Sequence, residues 1–190
     1  MNYFVVKYSG PFGFIKPWTA VRDIKTFSQQ FLTASIIEGM EKKLFPEMLL
    51  QKGIQKILRH KLTYSSMSVQ QEVTQTRGWE IKKQQGLMIR SRAILERGLL
   101  INPTLLLAFA TEESALKAGA QHICLCRNED IVFPDMQINK LTEEEFNLQD
   151  GFELRFEKSE DSFLTGFSRF DSAEPMYGAL EITGNPVIYS

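Results

Sequence analysis

Few residues in this chain have the type and spacing to do covalent chemistry. Its 190 residues include two histidines, His60 and His122, and two cysteines. His60 stands in Arg59-His60-Lys61, where flanking cations favour the neutral imidazole that a general base requires. His60 and Lys61 are therefore the candidate catalytic pair. A histidine so placed is more often a surface or phosphate-contact residue, and His122, in Gln121-His122-Ile123-Cys124, reads as structural. Glu143, Glu144 and Glu145 are consecutive, so they fan around any helix instead of converging on a metal. Cys124-x-Cys126 is too close for an easy disulfide in an extended segment and too small a set for zinc. Gly10-Pro11-Phe12-Gly13 lacks the spacing, and the following helix, of a phosphate or dinucleotide loop. No metal or cofactor is expected.

Binding chemistry is better represented. The formal net charge of −1 conceals a strong asymmetry. Residues 52–97 carry ten Lys and Arg against three Glu, a balance of +7, whereas residues 98–190 carry six against sixteen, a balance of −10. A cationic middle segment suits a polyanion, although a solvated cationic face would have the same composition. Within it Arg59, Lys82, Lys83, Arg90 and Arg92 are interleaved with Tyr64 and Trp79. Lys16, Trp18, Arg22 and Lys25 repeat the mixture near the start. Cations for phosphates and flat rings for unpaired bases are what single-stranded RNA recognition needs. Most tryptophans are core residues, so a core role for Trp18 and Trp79 is the alternative.

The elements that must position these groups follow from pattern. Asn2 to Tyr8 is β-rich and predicts a first strand, and "SGPFGFIKPW" predicts a shaped loop. Ser35 and Glu38 form a capping-box spacing ahead of Ile36, Ile37, Met40 and Leu44, which predicts a helix from Ser35 to about Phe45. Gly39 lies one turn inside, where glycine costs about 1 kcal/mol relative to alanine. "IQKILRHKLTY" reads as a strand, "SSMSVQQEVTQTRGWEIKKQQG" as an exposed hairpin or arm, and "LMIRSRAILERGLLI" as a half-buried strand. "NPTLLLAFAT" predicts a central buried strand, and "TEESALKAG" a short helix capped by Thr111. Short strands "QHICLCRN" and "DIVFP" and a final strand or hairpin "ALEITGNPVIYS" complete the chain. This order predicts an α+β fold, with an antiparallel ferredoxin-like (RRM-like) sheet and helices on one face. One domain spanning residues 1–190 is expected. With no apolar run of membrane-spanning length, no signal-peptide core at the N-terminus and little cysteine, a reduced cytoplasmic protein is expected.

Several of these stretches resemble a known family. Phe4-Val5-Val6, then Gly10-Pro11-Phe12-Gly13-Phe14-Ile15-Lys16-Pro17, then Thr26-Phe27-Ser28 and Thr33-Ala34-Ser35-Ile36-Ile37-Glu38-Gly39 are similar to the opening of the CRISPR-associated Cas-five family. These proteins are RAMP-superfamily subunits of Cascade-type complexes. Arg90-Ser91-Arg92-Ala93-Ile94-Leu95, Asn102-Pro103-Thr104-Leu105 and Cys124-Leu125-Cys126-Arg127-Asn128-Glu129 resemble its later segments. Ala34 stands where that family's opening motif has proline.

The resemblance implies a ferredoxin-like domain with a projecting β-hairpin thumb, here at about residues 63–90. It also implies a non-catalytic RNA-binding subunit of a type I CRISPR effector complex in antiviral defence. Such a subunit holds the repeat-derived 5′ handle of the CRISPR RNA and caps the backbone filament. The implied partners are CRISPR RNA, the Cascade backbone and large subunits and, through the complex, target DNA, with no membrane. On this reading Ser35 and Gly39 join the RNA-binding set, because a helix start offers N–H donors and a bare glycine allows close backbone approach. The alternative is a metal-independent endoribonuclease processing precursor RNA, with His60 as base. Phe27 lies about where the cleaving branch of the family has a tyrosine, and a phenyl ring cannot exchange a proton. A second alternative is a ferredoxin-like interaction module without nucleic acid.

Overall fold

The computed structural model describes the chain except residues 20–23, 76–77, 83–85, 169–172 and 189–190. In chain order the strands and helices are β1 (Asn2–Ser9), β2 (Phe12–Gly13), β3 (Lys25–Phe27), α1 (Ala34–Leu44), β4 (Ile57–Thr63), β5 (Ser66–Gln75), β6 (Glu80–Lys82), β7 (Leu87–Ile89), β8 (Arg92–Ile101) and β9 (Thr104–Phe109). They continue as α2 (Glu112–Gly119), β10 (Ile123–Cys124), β11 (Ile131–Thr142), α3 (Glu143–Asn147), β12 (Gly151–Arg155), β13 (Phe163–Phe167) and β14 (Pro175–Thr183). No helix among the described residues is long and apolar enough to cross a membrane.

Strands β11, β1, β9 and β4 are adjacent in that order and antiparallel. With α1 between β1 and β4, and α2 between β9 and β11, they form a ferredoxin-like unit. The main sheet continues beyond β4 through β12 and β14 to β13. Alternation along β1 explains its two-sided burial. Val6 and Tyr8 join Ile37, Leu44, Leu62, Leu105, Leu107 and Phe109 on the side of α1 and α2. Tyr3 and Val5 face the other way, against Ala108 and Phe146 of α3. The Tyr8 hydroxyl, fully buried, donates to the Ala118 carbonyl at 2.8 Å and so ties α2 to the sheet.

Between β4 and β9 the chain leaves the sheet as a long hairpin. β5 and β8 pair antiparallel from Ser66 with Ile101 to Gln75 with Arg92. A smaller ladder, Glu80–Lys82 against Leu87–Ile89, lies beyond them. The hairpin pairing continues the register of β4 with β9, which runs to Thr63 opposite Thr104. The excursion thus ends at Ile101. β3 runs parallel to the root of β8, where Phe27 covers Gly98 so closely that a Cβ there would strike its ring.

Three expectations about local structure need correction. The α1 N-cap is Thr33, not Ser35, and it makes no side-chain cap. Glu38 is turned away from the helix start. Its carboxylate accepts from Lys42 Nζ at 2.8 Å and from the Gly53 amide at 3.0 Å. Glu41 accepts the amides of Gln55, Lys56 and Ile57 at 2.6–2.8 Å, so the two carboxylates pin the loop leading to β4. The true capping box is Thr142 with Glu145, opening α3. Finally, the short "DIVFP" strand is the beginning of the twelve-residue β11.

Candidate nucleic-acid interface

A cleft of about 550 Å³ runs along α1 from Thr33 to Lys43. Its floor is one side of that helix, with buried Ser35, half-buried Gly39 and exposed Lys43. One wall is the Ile15–Trp18 loop with residues 123–126, and the other is Thr165–Phe167 of β13. Local pairing fixes the first wall: the Ile15 amide donates to Ser28 Oγ at 2.9 Å, and the Gln29 amide to the Ile15 carbonyl at 2.8 Å. The second wall comes from the far end of the chain, because β14 and β13 curl the sheet back toward α1. Trp18 meets Phe167 edge-on at 5.8 Å, and Phe31 meets Phe163 at the same distance. Ser35 Oγ donates to the Phe167 carbonyl at 3.5 Å.

The chemistry of this cleft favours anions. Lys16 and Lys43 are the charged side chains lining it, and no carboxylate does so among the described residues. The Lys43 ammonium is held on the His122 carbonyl. The first turn of α1 carries no acidic residue and no side-chain cap. The Ile36 and Ile37 amides both donate to the Thr33 carbonyl, at 2.9 and 3.1 Å, and no carboxylate in that turn offsets the positive end of the helix dipole. A Cβ built on Gly39 would meet nothing within 4 Å. The glycine therefore does not serve close packing against a strand; it leaves helix backbone open to the cleft. Trp18 is 45% exposed and offers a ring surface at the rim.

Four of the expected site residues, Lys16, Trp18, Ser35 and Gly39, thus converge on one cleft. A second set lies on the hairpin. Trp79 is 56% exposed, with the Arg90 guanidinium 4.6 Å from its ring centroid. Lys82 and Arg92 are exposed nearby in sequence. Neither tryptophan is a core residue. Lys25, at the hairpin root, pairs with Glu96 at 3.6 Å and lies 5.6 Å from the Phe27 ring centroid. Arg22 and Lys83 lie outside the described residues.

The Arg59-His60-Lys61 run is committed elsewhere. Arg59 is not on a binding surface; it is buried in a two-point pair with Glu153 at 2.6 and 2.7 Å, with Asn147 at 3.0 Å. The Glu153 carboxylate raises the already high pKa of that guanidinium. Being neighbours on a strand, His60 and Lys61 point to opposite sides of the sheet, so they cannot act as a pair. Lys61 donates to the carbonyls of Asn147 and Gln149 and to Thr183 Oγ1, and burial lowers its pKa. His60 is 2% exposed and stacks on Phe156 at 5.2 Å. Burial, more than neighbouring charge, holds its pKa at about 4. The imidazole is neutral as a base must be, yet no substrate reaches it, which removes the geometric basis for the nuclease alternative. No three His, Cys, Asp or Glu side chains among the described residues group to hold a metal ion.

The cleft also contains residues that sequence reading missed. Lys43 follows Gly39 by four positions, so helical spacing alone could have placed it on the same face. Thr165, Gly166 and Phe167 gave no local signal, because only the sheet order carries them to α1.

No family model and no curated protein matches the sequence. Solved structures do match. A chain from a "CRISPR RNA-guided surveillance complex" superposes with a TM-score of 0.54 at 13% identity, over 97% of this chain and 91% of that one. A second, described as "Crystal structure of Cas protein", gives a TM-score of 0.46 at 13% identity, over 99% and 98%. At this identity the first likeness establishes a shared fold along nearly the whole chain.

Proposed function

We propose that the protein is a non-catalytic RNA-binding subunit of a CRISPR effector complex of the Cascade type, and that it holds the 5′ handle of the guide RNA. The observation that carries this reading is the cleft on α1: cationic, free of described carboxylates, rimmed by Trp18 and floored by the open backbone at Gly39. An unpaired, kinked strand suits such a space, with phosphates toward the lysines and helix start and a base against the tryptophan. The hairpin supplies a second surface, with Trp79, Lys82, Arg90 and Arg92, for the RNA or an adjoining subunit. The whole-chain fold likeness to a surveillance-complex chain agrees with this assignment.

The test is handle binding across a salt series. Each phosphate neutralised on a single strand contributes about −0.7 to the slope of log affinity against log salt. Replacing Lys16 and Lys43 with Glu together should reduce the slope by about 1.4 and weaken binding. Handle RNA incubated with chelator should remain intact. An unchanged slope in the double variant, or cleavage of the handle, would refute the reading.

A further inference from the structure

Both of the chain's thiols lie in the same cleft, and nothing in the proposed RNA contacts uses them. Leu125 is 4% exposed and turns inward against Gly13. The residues on either side, Cys124 and Cys126, accordingly line the cleft wall. Cys126 is exposed and Cys124 half-buried, its weak contact being with the Asn128 carbonyl at 3.9 Å. Lys43, fixed on the His122 carbonyl two residues before Cys124, brings an ammonium to this part of the cleft. The cleft therefore combines a nucleophile, room for a small molecule and a charge preference for anions.

We propose that Cys124 and Cys126 form a thiol-modification site for small anionic disulfides, and that a mixed disulfide there closes the cleft to its anionic ligand. The closure rests on the RNA-binding reading; the modification site does not. In the step, a cysteine thiolate attacks one sulfur of the disulfide. A new S–S bond joins protein to reagent as the old one breaks, and the departing thiolate takes up a proton from solvent. The cysteine is oxidised, the released half of the reagent is reduced, and an external thiol reverses the exchange. Lys16 and Lys43 attract an anionic reagent, and the same two charges would serve a phosphate. An anionic adduct both fills the space and cancels that charge.

Full-length protein is treated with dithiobis-nitrobenzoate, a dianionic disulfide, and separately with neutral dithiodipyridine, and the released thiol is followed by absorbance. Cys124→Ser and Cys126→Ser assign the reacting sulfur. The anionic reagent should react faster relative to the neutral one at low salt, and Lys16→Gln with Lys43→Gln should reduce that ratio about tenfold. A ratio indifferent to salt and to the lysines overturns the modification site. Labelled protein should bind handle RNA at least tenfold more weakly and recover with reductant, and bound RNA should slow labelling. Full affinity after complete labelling overturns the closure. If unlabelled protein binds no RNA, the RNA-binding reading and the closure fail together. The reagent ratio, measured without RNA, then decides the modification site by itself.

Discussion

Replacing Gly39 with larger residues separates two effects that usually travel together. Glycine inside a helix costs about 1 kcal/mol relative to alanine through backbone entropy. That gain is cancelled when the new Cβ meets a neighbour, but at Gly39 nothing lies within 4 Å. Gly39→Ala should therefore stabilise the isolated protein by about 0.5–1 kcal/mol, a rise of about 1–4 °C in Tm for a chain of this size. Gly39→Leu should behave similarly, because leucine is close to alanine in helix propensity and the side chain projects into the cleft. Both should bind handle RNA less well, Leu more than Ala, with a loss of about tenfold, or 1.4 kcal/mol, for Leu. Thermal unfolding and fluorescence anisotropy on the same preparations measure the two quantities. Greater stability with unchanged affinity in both variants would refute the cleft as the RNA site. Lost stability in Gly39→Ala would refute the open-backbone reading itself.

The buried imidazole makes stability depend on pH. His60 titrates at about 4 when folded and near 6.5 when unfolded, so its contribution is fully present above 6.5 and is lost as pH falls toward 4. The loss amounts to about 3 kcal/mol, and denaturant unfolding of His60→Leu should lack that part of the acid slope. Arg59→Met should destabilise by about 3 kcal/mol because buried Glu153 loses its two-point partner and keeps only the longer contact with Arg155 at 3.6 Å, whereas Arg59→Met with Glu153→Met should recover most of it. Equal losses in the single and double variants would contradict the pairing. Thr142→Ala should cost about 1 kcal/mol by removing the α3 cap, while Ser35→Ala, which removes no cap, should cost less in the same unfolding assay.

The helices and strands that carry their own periodicity were legible before folding. β1 and β9 alternate or run apolar, α1 has helical spacing, and Thr111 accepts the Ser114 amide at 3.3 Å as a cap should. What misled was a signal with two uses. Ser35 and Glu38 have capping-box spacing, but Glu38 is taken up by the Gly53 amide and Lys42, and Ser35 by the Phe167 carbonyl. Arg59 looked like a phosphate ligand because its partner, Glu153, lies 94 positions away. The cationic cluster at 59–61 is mostly interior for the same reason. Lys16, Trp18 and Gly39 could be picked out by residue type, but not their convergence, which depends on the sheet beyond β4 bending β13 toward α1.

The shared register of β4 with β9 and of β5 with β8 bears on how the chain folds. Closing the central β4–β9 pair directly would mean joining ends about 40 residues apart, whereas Lys82 and Leu87 are only about four residues from closure. The difference in loop entropy is about 2 kcal/mol in favour of starting at the tip. Pairing can then advance from the hairpin toward the core, each step closing a short loop, until Thr63 meets Thr104. The projecting hairpin thus lowers the effective contact order of the sheet it leaves. Shortening it to a tight turn would keep that advantage, whereas replacing it with a flexible linker of equal length would slow folding.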